Sequence, residues 1–131
     1  MGFLYLSAAH KSSGKTTFSV GLCAVLRRRG LSVQAFKKGP DYIDPLWLSA
    51  ASGRPCRNLD FHTMEWSEIE AELARHLSRA DIGIIEGNKG LHDGMNLAGS
   101  DSNAALARRL GAPVILVIDC RGMTRGVAPL L

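Results

Sequence analysis

The chain has 131 residues, 46% of them apolar and 21% charged, enough for a core in a single domain. No apolar run approaches the roughly 18–20 residues of a membrane span. The net charge of +4 favours anionic partners, but aromatics make up only 6% and do not alternate with basic residues, so nucleic-acid binding has no support.

The N-terminus reads as a strand over 3–8, not as a signal peptide, because its apolar stretch is short and no basic region precedes it. A Ser/Gly/Lys loop follows. Thr16 to Arg29 reads as a helix, with Phe18, Leu22, Val25 and Leu26 at helical spacing. Arg27, Arg28 and Arg29 before Gly30 read as a helix C-terminus, where cations complement the dipole and Gly takes the left-handed cap. Leu31 to Phe36 is a second strand. Lys37 to Pro45 is a loop broken by Pro40 and Pro45, and Leu46 to Ser52 is a short helix. Ser67 and Glu70 have capping-box spacing, ahead of a stripe at Trp66, Ile69, Leu73 and Leu77. Ile82 to Ile85 is an apolar strand without alternation, as in a sheet covered on both faces. A Gly-rich loop occupies 87–100, Ser102 to Leu110 is a helix stopped by Gly111 and Pro113, and Val114 to Ile118 is a fourth strand. Met123 to Leu131 reads as the opening of another helix without a stop signal, so the expectation is a C-terminally incomplete domain. The three cysteines, Cys23, Cys56 and Cys120, are odd in number and widely spaced, which fits a reducing cytoplasm better than a disulfide framework or a zinc site.

Strands alternating with helices imply an α/β fold: a parallel sheet with helices on both faces and right-handed crossovers. Ligands in such sheets sit at the carboxyl ends of the strands, where the loops starting at Ala9, Lys37, Gly87 and Asp119 all fall.

Ala9 to Thr17 has the spacing of a phosphate-binding loop, with Ala9 in place of the first Gly. Backbone N–H groups of Ser12, Ser13, Gly14, Lys15, Thr16 and Thr17 would cradle phosphate at a helix N-terminus. Gly14 permits close approach, Lys15 reaches the β- and γ-phosphates of ATP, and the Thr16 hydroxyl is placed for Mg²⁺. The plainer reading is a Ser-rich helix cap. His10 stands where some relatives of this class carry a lysine that reaches across a dimer; a homodimer is therefore an open expectation, and Lys11 is either solvated or a trans contact.

Phosphoryl transfer needs carboxylates near the phosphates. Asp41 follows the second strand, and Glu86 ends the strand at 82–85, where a Walker-B carboxylate belongs. Asp93, in Gly90-Leu91-His92-Asp93-Gly94, is either a site residue or part of a turn.

Together these segments resemble the synthetase domain of the cobyrinic acid a,c-diamide synthase family. The match runs through Ser13-Gly14-Lys15-Thr16-Thr17, Phe36-Lys37, Gly39-Pro40-Asp41-Tyr42-Ile43-Asp44, Arg57-Asn58-Leu59-Asp60, Glu86-Gly87, Gly90 to Gly94, Asp119 and Arg121-Gly122-Met123. The resemblance implies a P-loop NTPase-like sheet of the dethiobiotin synthetase group, with the strand at 82–86 beside the strand at 3–8. It implies ATP-dependent amidation of tetrapyrrole carboxylates through an acyl phosphate, with ammonia from a glutaminase domain that would lie in the full-length chain. By the same resemblance Thr16, Asp41 and Glu86 hold Mg²⁺. Lys15 and Lys37 stabilise phosphoryl charge, and Asp93 acts near the substrate carboxylate or ammonium. Family members acting on cobyrinate carry an apolar pair where this chain has Asn88-Lys89, and an aromatic where it has His92, which resembles a sister branch amidating sirohaem. A partitioning or switch ATPase and a small-molecule kinase are the competing readings. A Cys-dependent amidase on Cys120 is a further one.

Overall fold

The computed structural model describes residues 2–131. In chain order the elements are β1 (Gly2–Ala8), α1 (Lys15–Arg28), β2 (Val33–Lys38), α2 (Asp44–Ser52), β3 (Arg57–Leu59), α3 (Trp66–Leu77), β4 (Ile82–Glu86), α4 (Asn103–Leu110) and β5 (Val114–Val117), then a 3₁₀ turn at Arg125–Leu130. The strands form one parallel sheet in the order β3-β2-β4-β1-β5. This is the P-loop NTPase-like α/β architecture, with β4 beside β1 as expected.

The chain runs outward through β1, β2 and β3, then returns through β4 to β5 on the other edge. A constant crossover hand therefore puts α1 and α2 on one face and α3 and α4 on the other. Two cores result. Leu6, Val33, Ala35 and Ile84 pack with Cys23 of α1 and Leu48 of α2. Tyr5, Phe36, Leu59 and Ile85 pack with Ile69, Leu73 and Leu77 of α3 and Leu106 of α4.

Several boundaries differ from the sequence expectation. The second strand runs two residues further, to Lys38, so Lys37 and Lys38 belong to the sheet and not to a loop. Their ammonium groups find acceptors at the strand end, which makes buried lysines tolerable there. Residues 57–59 form the short edge strand β3, whose three residues are too few for a periodic pattern. In α1 the core face is Ser19 and Cys23, flanked by Leu22 and Leu26, while Phe18 and Val25 are exposed. Ser19 reaches the core because its hydroxyl donates back to Lys15 O at 2.9 Å. The capping box of α3 uses Glu65 and Glu68, not Ser67 and Glu70, because the chain enters the helix two residues earlier. Ile69, Leu73 and Leu77 are buried as the stripe requires. Gly30 closes α1 in the left-handed region, its N–H donating to Arg27 O at 2.9 Å. The terminal segment forms a 3₁₀ turn, with Pro129 inside it unable to donate a hydrogen bond. Among the described residues no helix is long and apolar enough to cross a membrane.

Candidate active site

The loop after β1 turns sharply into α1. Ser12 and Gly14 both lie in the left-handed region, at φ 64° and 86°. Nothing lies within 4 Å of a Cβ built on Gly14, so backbone conformation and not crowding favours glycine there. Ser13 is buried, its hydroxyl donating to His10 O at 2.8 Å, which braces the loop. His10 Nδ1 lies 2.8 Å from Lys11 O, so His10 also serves the loop's own shape. The loop faces a cleft of about 400 Å³ lined by residues 11–17 together with Lys37, Asp41, Asp44, Asn88 and Lys89.

Sheet register brings the charged residues to that cleft. Glu86 in β4 lies opposite Lys37 in β2 and opposite Leu6 in β1. Lys37 and Glu86 are both essentially fully buried. Lys37 Nζ donates to Glu86 Oε1 and to Asp44 Oδ2, both at 2.7 Å, and to Gly87 O at 3.2 Å. Lys15 Nζ lies 3.3 Å from the same Glu86 oxygen, and the Thr16 hydroxyl donates to it at 2.9 Å. Burial is the largest influence on the Lys37 ammonium and lowers its pKa, but Glu86 and Asp44 together outweigh it and leave the value raised. For Lys15 burial wins over the pull of Glu86, and its pKa is lowered. Burial raises the pKa of Asp44, yet its bonds to Lys37 and Thr16 hold it below the ordinary carboxylate value.

Asp41 is placed at the edge of this cluster. Its Oδ1 accepts from Ile43 N at 2.9 Å and Asp44 N at 3.0 Å, capping the start of α2, and its Oδ2 stands 3.7 Å from Lys37. Asp44 makes the closer contact, within 3.3 Å of the Thr16 hydroxyl, and sequence reasoning gave it no role. The signal was available: Asp41 and Asp44 are one helical turn apart before Pro45, a spacing that sets two carboxylates beside one another. Glu86 Oε2 is buried and has no hydrogen-bond partner. Among the described residues no three His, Cys, Asp or Glu side chains form a ready metal cage. The donors present at the loop are the carboxylates of Asp41, Asp44 and Glu86, whose Oε2 is the orphaned oxygen, and the Thr16 hydroxyl, all hard oxygens; that chemistry fits Mg²⁺.

Asp93 lies apart from this cluster, exposed, and its Oδ2 accepts from Gly90 N at 2.8 Å. A Cβ on Gly90 would come within 2.7 Å of that carboxylate and 2.9 Å of Ala9 O, so only glycine fits between the two loops. Asn103 organises the same turn from beneath and carried no sequence signal beyond its place after a helix cap. It is fully buried, accepts from Tyr5 Oη at 2.8 Å and Asn88 N at 3.2 Å, and donates to Asn88 O and to Gly90 O at 2.8 Å.

Residues 8–118 match the CobQ/CobB/MinD/ParA nucleotide binding domain. The chain belongs to that family. It is 59% identical over 128 residues to a cobyrinate a,c-diamide synthase of Magnetococcus marinus, covering 98% of this chain and 27% of that protein. It is 46% identical to the synthase of that name from Syntrophotalea carbinolica, covering 98% of this chain and 28% of the other. It is 44% identical to a hydrogenobyrinate a,c-diamide synthase of Rhodobacter capsulatus, covering 95% and 29% respectively. The chain thus spans little more than a quarter of the length of these curated relatives. The loop from Ala9 onward, β2, β4 and the Gly-rich loop all fall inside the matched region of this nucleotide-binding family.

Proposed function

We propose that the chain is the ATP-binding part of an amidoligase that converts tetrapyrrole side-chain carboxylates to amides. The observation that carries this reading is the convergence of Lys15, Thr16, Lys37 and Glu86 on one point at the head of the phosphate loop. The names of the relatives supply the substrate class.

ATP binds with its phosphates along residues 12–17, whose N–H groups and helix dipole favour the negative charge. A substrate carboxylate oxygen attacks the γ-phosphorus, the bond to the β,γ-bridging oxygen breaks, and ADP leaves with the electron pair. The product is an acyl phosphate. Ammonia then adds to its carbonyl carbon, phosphate departs, and a proton is lost to give the amide. Lys15, released from Glu86, pairs with the β- and γ-phosphates. Lys37 is rigidly held and stays cationic, so it stabilises charge on the moving phosphoryl group without reorganising. Thr16, Glu86, Asp41 and Asp44 would hold Mg²⁺, which supplies charge neutralisation on the phosphates. Asp93 lines the neighbouring cleft and not this one, with Oδ2 bonded to Gly90 N; its other oxygen is the one left to meet the carboxylate or the incoming ammonium.

The ammonia source is glutamine hydrolysed by a glutaminase domain of the complete protein. Asn88-Lys89 on the cleft wall favours a substrate with a polar group at that point, so sirohaem or a related early tetrapyrrole is amidated at least as well as cobyrinate. The test is competition between the two tetrapyrroles with ATP and glutamine, read by mass spectrometry, with hydroxylamine added to trap the acyl phosphate as a hydroxamate. ATP cleavage without hydroxamate or amide from either tetrapyrrole rejects the reading in favour of a switch ATPase. Product from cobyrinate alone rejects the sirohaem branch.

A further inference from the structure

Successive residues of a strand point to opposite faces, so β2 sends its two adjacent lysines into different places. Lys37 faces the phosphate cleft beside α1 and α2. Lys38 faces the other side of the sheet, with its ammonium 5.8 Å from the centre of the Phe61 ring. There it lines a second, smaller cleft of about 90 Å³ whose wall at Asn88 and Lys89 is shared with the phosphate cleft.

Lys38 is only 6% exposed, yet among the described residues it has no carboxylate within ion-pair distance. Its hydrogen bond goes to the main-chain oxygen of Asp101. An ammonium has three donors, so two remain free. Burial lowers its pKa, with Asp101 pulling the other way and Lys89 adding to the fall. The carboxylates of the same cleft are turned to their own loops. Asp60 accepts from His62 N and the Thr63 hydroxyl, each at 2.9 Å. Asp93 accepts from Gly90 N, and Asp101 accepts from Met95 N at 2.9 Å and Asn96 N at 3.2 Å. Lys89 is exposed and held in the left-handed region at φ 47°, with no ion pair among the described residues. A non-glycine residue adopts that conformation at some cost, and it holds Lys89 in the wall shared by the two clefts.

Resting on the amidoligase reading, we propose that Lys38 and Lys89 grip a second carboxylate arm of the tetrapyrrole in this smaller cleft while the arm to be amidated lies at Lys37. The volume decides what enters: about 90 Å³ is well below the roughly 300–1,000 Å³ of a whole-ligand pocket, so the cleft takes a side-chain arm and leaves the macrocycle outside. Reading two arms at once makes their separation on the macrocycle the determinant of which carboxylate reacts.

The test is titration of cobyrinate and of sirohaem into the purified protein with Mg²⁺ and a non-hydrolysable ATP analogue, followed by absorbance. Lys38→Met removes a charge-assisted contact and is expected to weaken tetrapyrrole binding about tenfold or more, a change of about 1.4 kcal/mol. Lys89→Asn keeps a residue that tolerates positive φ and is expected to weaken it in the same direction. Affinity for the ATP analogue in the same samples is the reference. Thermal melts check folding; if Lys38→Met does not fold, the exposed Lys89→Asn decides. Unchanged tetrapyrrole affinity in the folded variants overturns the subsite. Unchanged tetrapyrrole affinity with a raised half-saturation for ammonium chloride in the amidation reaction overturns it in favour of an ammonium site. Binding of neither tetrapyrrole by the unmodified protein is a separate result, which removes the proposed substrate class and the subsite with it.

Discussion

Lys37→Met is the most informative perturbation of the buried cluster. In the native protein its ammonium bridges Glu86 and Asp44 at 2.7 Å each, with its side chain 2% exposed. Methionine preserves most of the volume but, among the described residues, leaves Glu86 with Lys15 at 3.3 Å as its one cation and Asp44 with a hydroxyl. Breaking a buried pair from one side costs about 3–5 kcal/mol, because a desolvated charge loses its partner. For a chain of this size that is a fall in Tm on the order of 10 °C or more. Adding Glu86→Gln should return part of the loss, since the orphaned charge is then gone. The pH dependence has a definite sign. Asp44 has a lowered folded pKa, so its contribution is present above its ordinary value of 3.8 and is lost as pH falls through the folded value. Lys37 has a raised folded pKa, so its contribution is complete below its ordinary value of 10.5 and is lost as pH rises through the folded value. The stability gap between native and Lys37→Met should therefore be widest near neutrality and narrow at both extremes. Urea denaturation at pH 7 and at pH 3 measures it. A gap under about 1 kcal/mol at pH 7, typical of an exposed pair, or one that does not narrow in acid, refutes the argument.

Three further outcomes are expected. Lys15→Ala removes a charge-assisted contact to phosphate worth about 1.5–3 kcal/mol, and calorimetry should show ATP affinity falling accordingly while the fold persists. Asn103→Ala strips four hydrogen bonds from Tyr5 and the turn at 88–90, and hydrogen exchange should quicken there more than in β4 itself. Native alkylation with iodoacetamide at pH 8 should label exposed Cys120 ahead of Cys23 and Cys56, whose thiols burial pushes up to about 12, as mass spectrometry of the peptides would record.

The elements legible in the sequence were those with one plain signal. Ile82 to Ile85 is an unbroken apolar run, and it is the buried β4. The glycine-lysine-threonine turn opened a helix as its chemistry requires. What could not be read was set by partners distant in sequence. Lys37 and Lys38 looked like loop residues because charge is normally a sign of solvent; only the register that brings Glu86 alongside Lys37 makes the strand continue. Phe18 carries the helical apolar signal yet is exposed, while Ser19 is buried, because the face of α1 that holds Cys23 is the one packed into the core with Leu6, Ala35, Ile84 and Leu48. The spacing of Asp41 and Asp44 pairs the two carboxylates, but that Asp44 is the one to reach Thr16 follows from the turn that Asp41 caps and not from its spacing to the loop after β1.

The two lysines also show what this sheet edge makes possible. A one-residue slip of β2 would exchange their faces, putting Lys38 against Glu86 and Lys37 against Phe61. The ladder from Val33 opposite Ile82 to Lys37 opposite Glu86 prevents it, because Val33 and Ala35 fill one core while Phe36 fills the other. Buried cations on both faces of one strand end would be unstable in the middle of a sheet, where neither face offers acceptors. They are tolerable at the carboxyl edge, where β4 ends in Glu86 and the following loops bring Gly87 O to one lysine and Asp101 O to the other. The same packing that fixes the register therefore aims one cation at the phosphate cleft and its neighbour at the smaller cleft behind it.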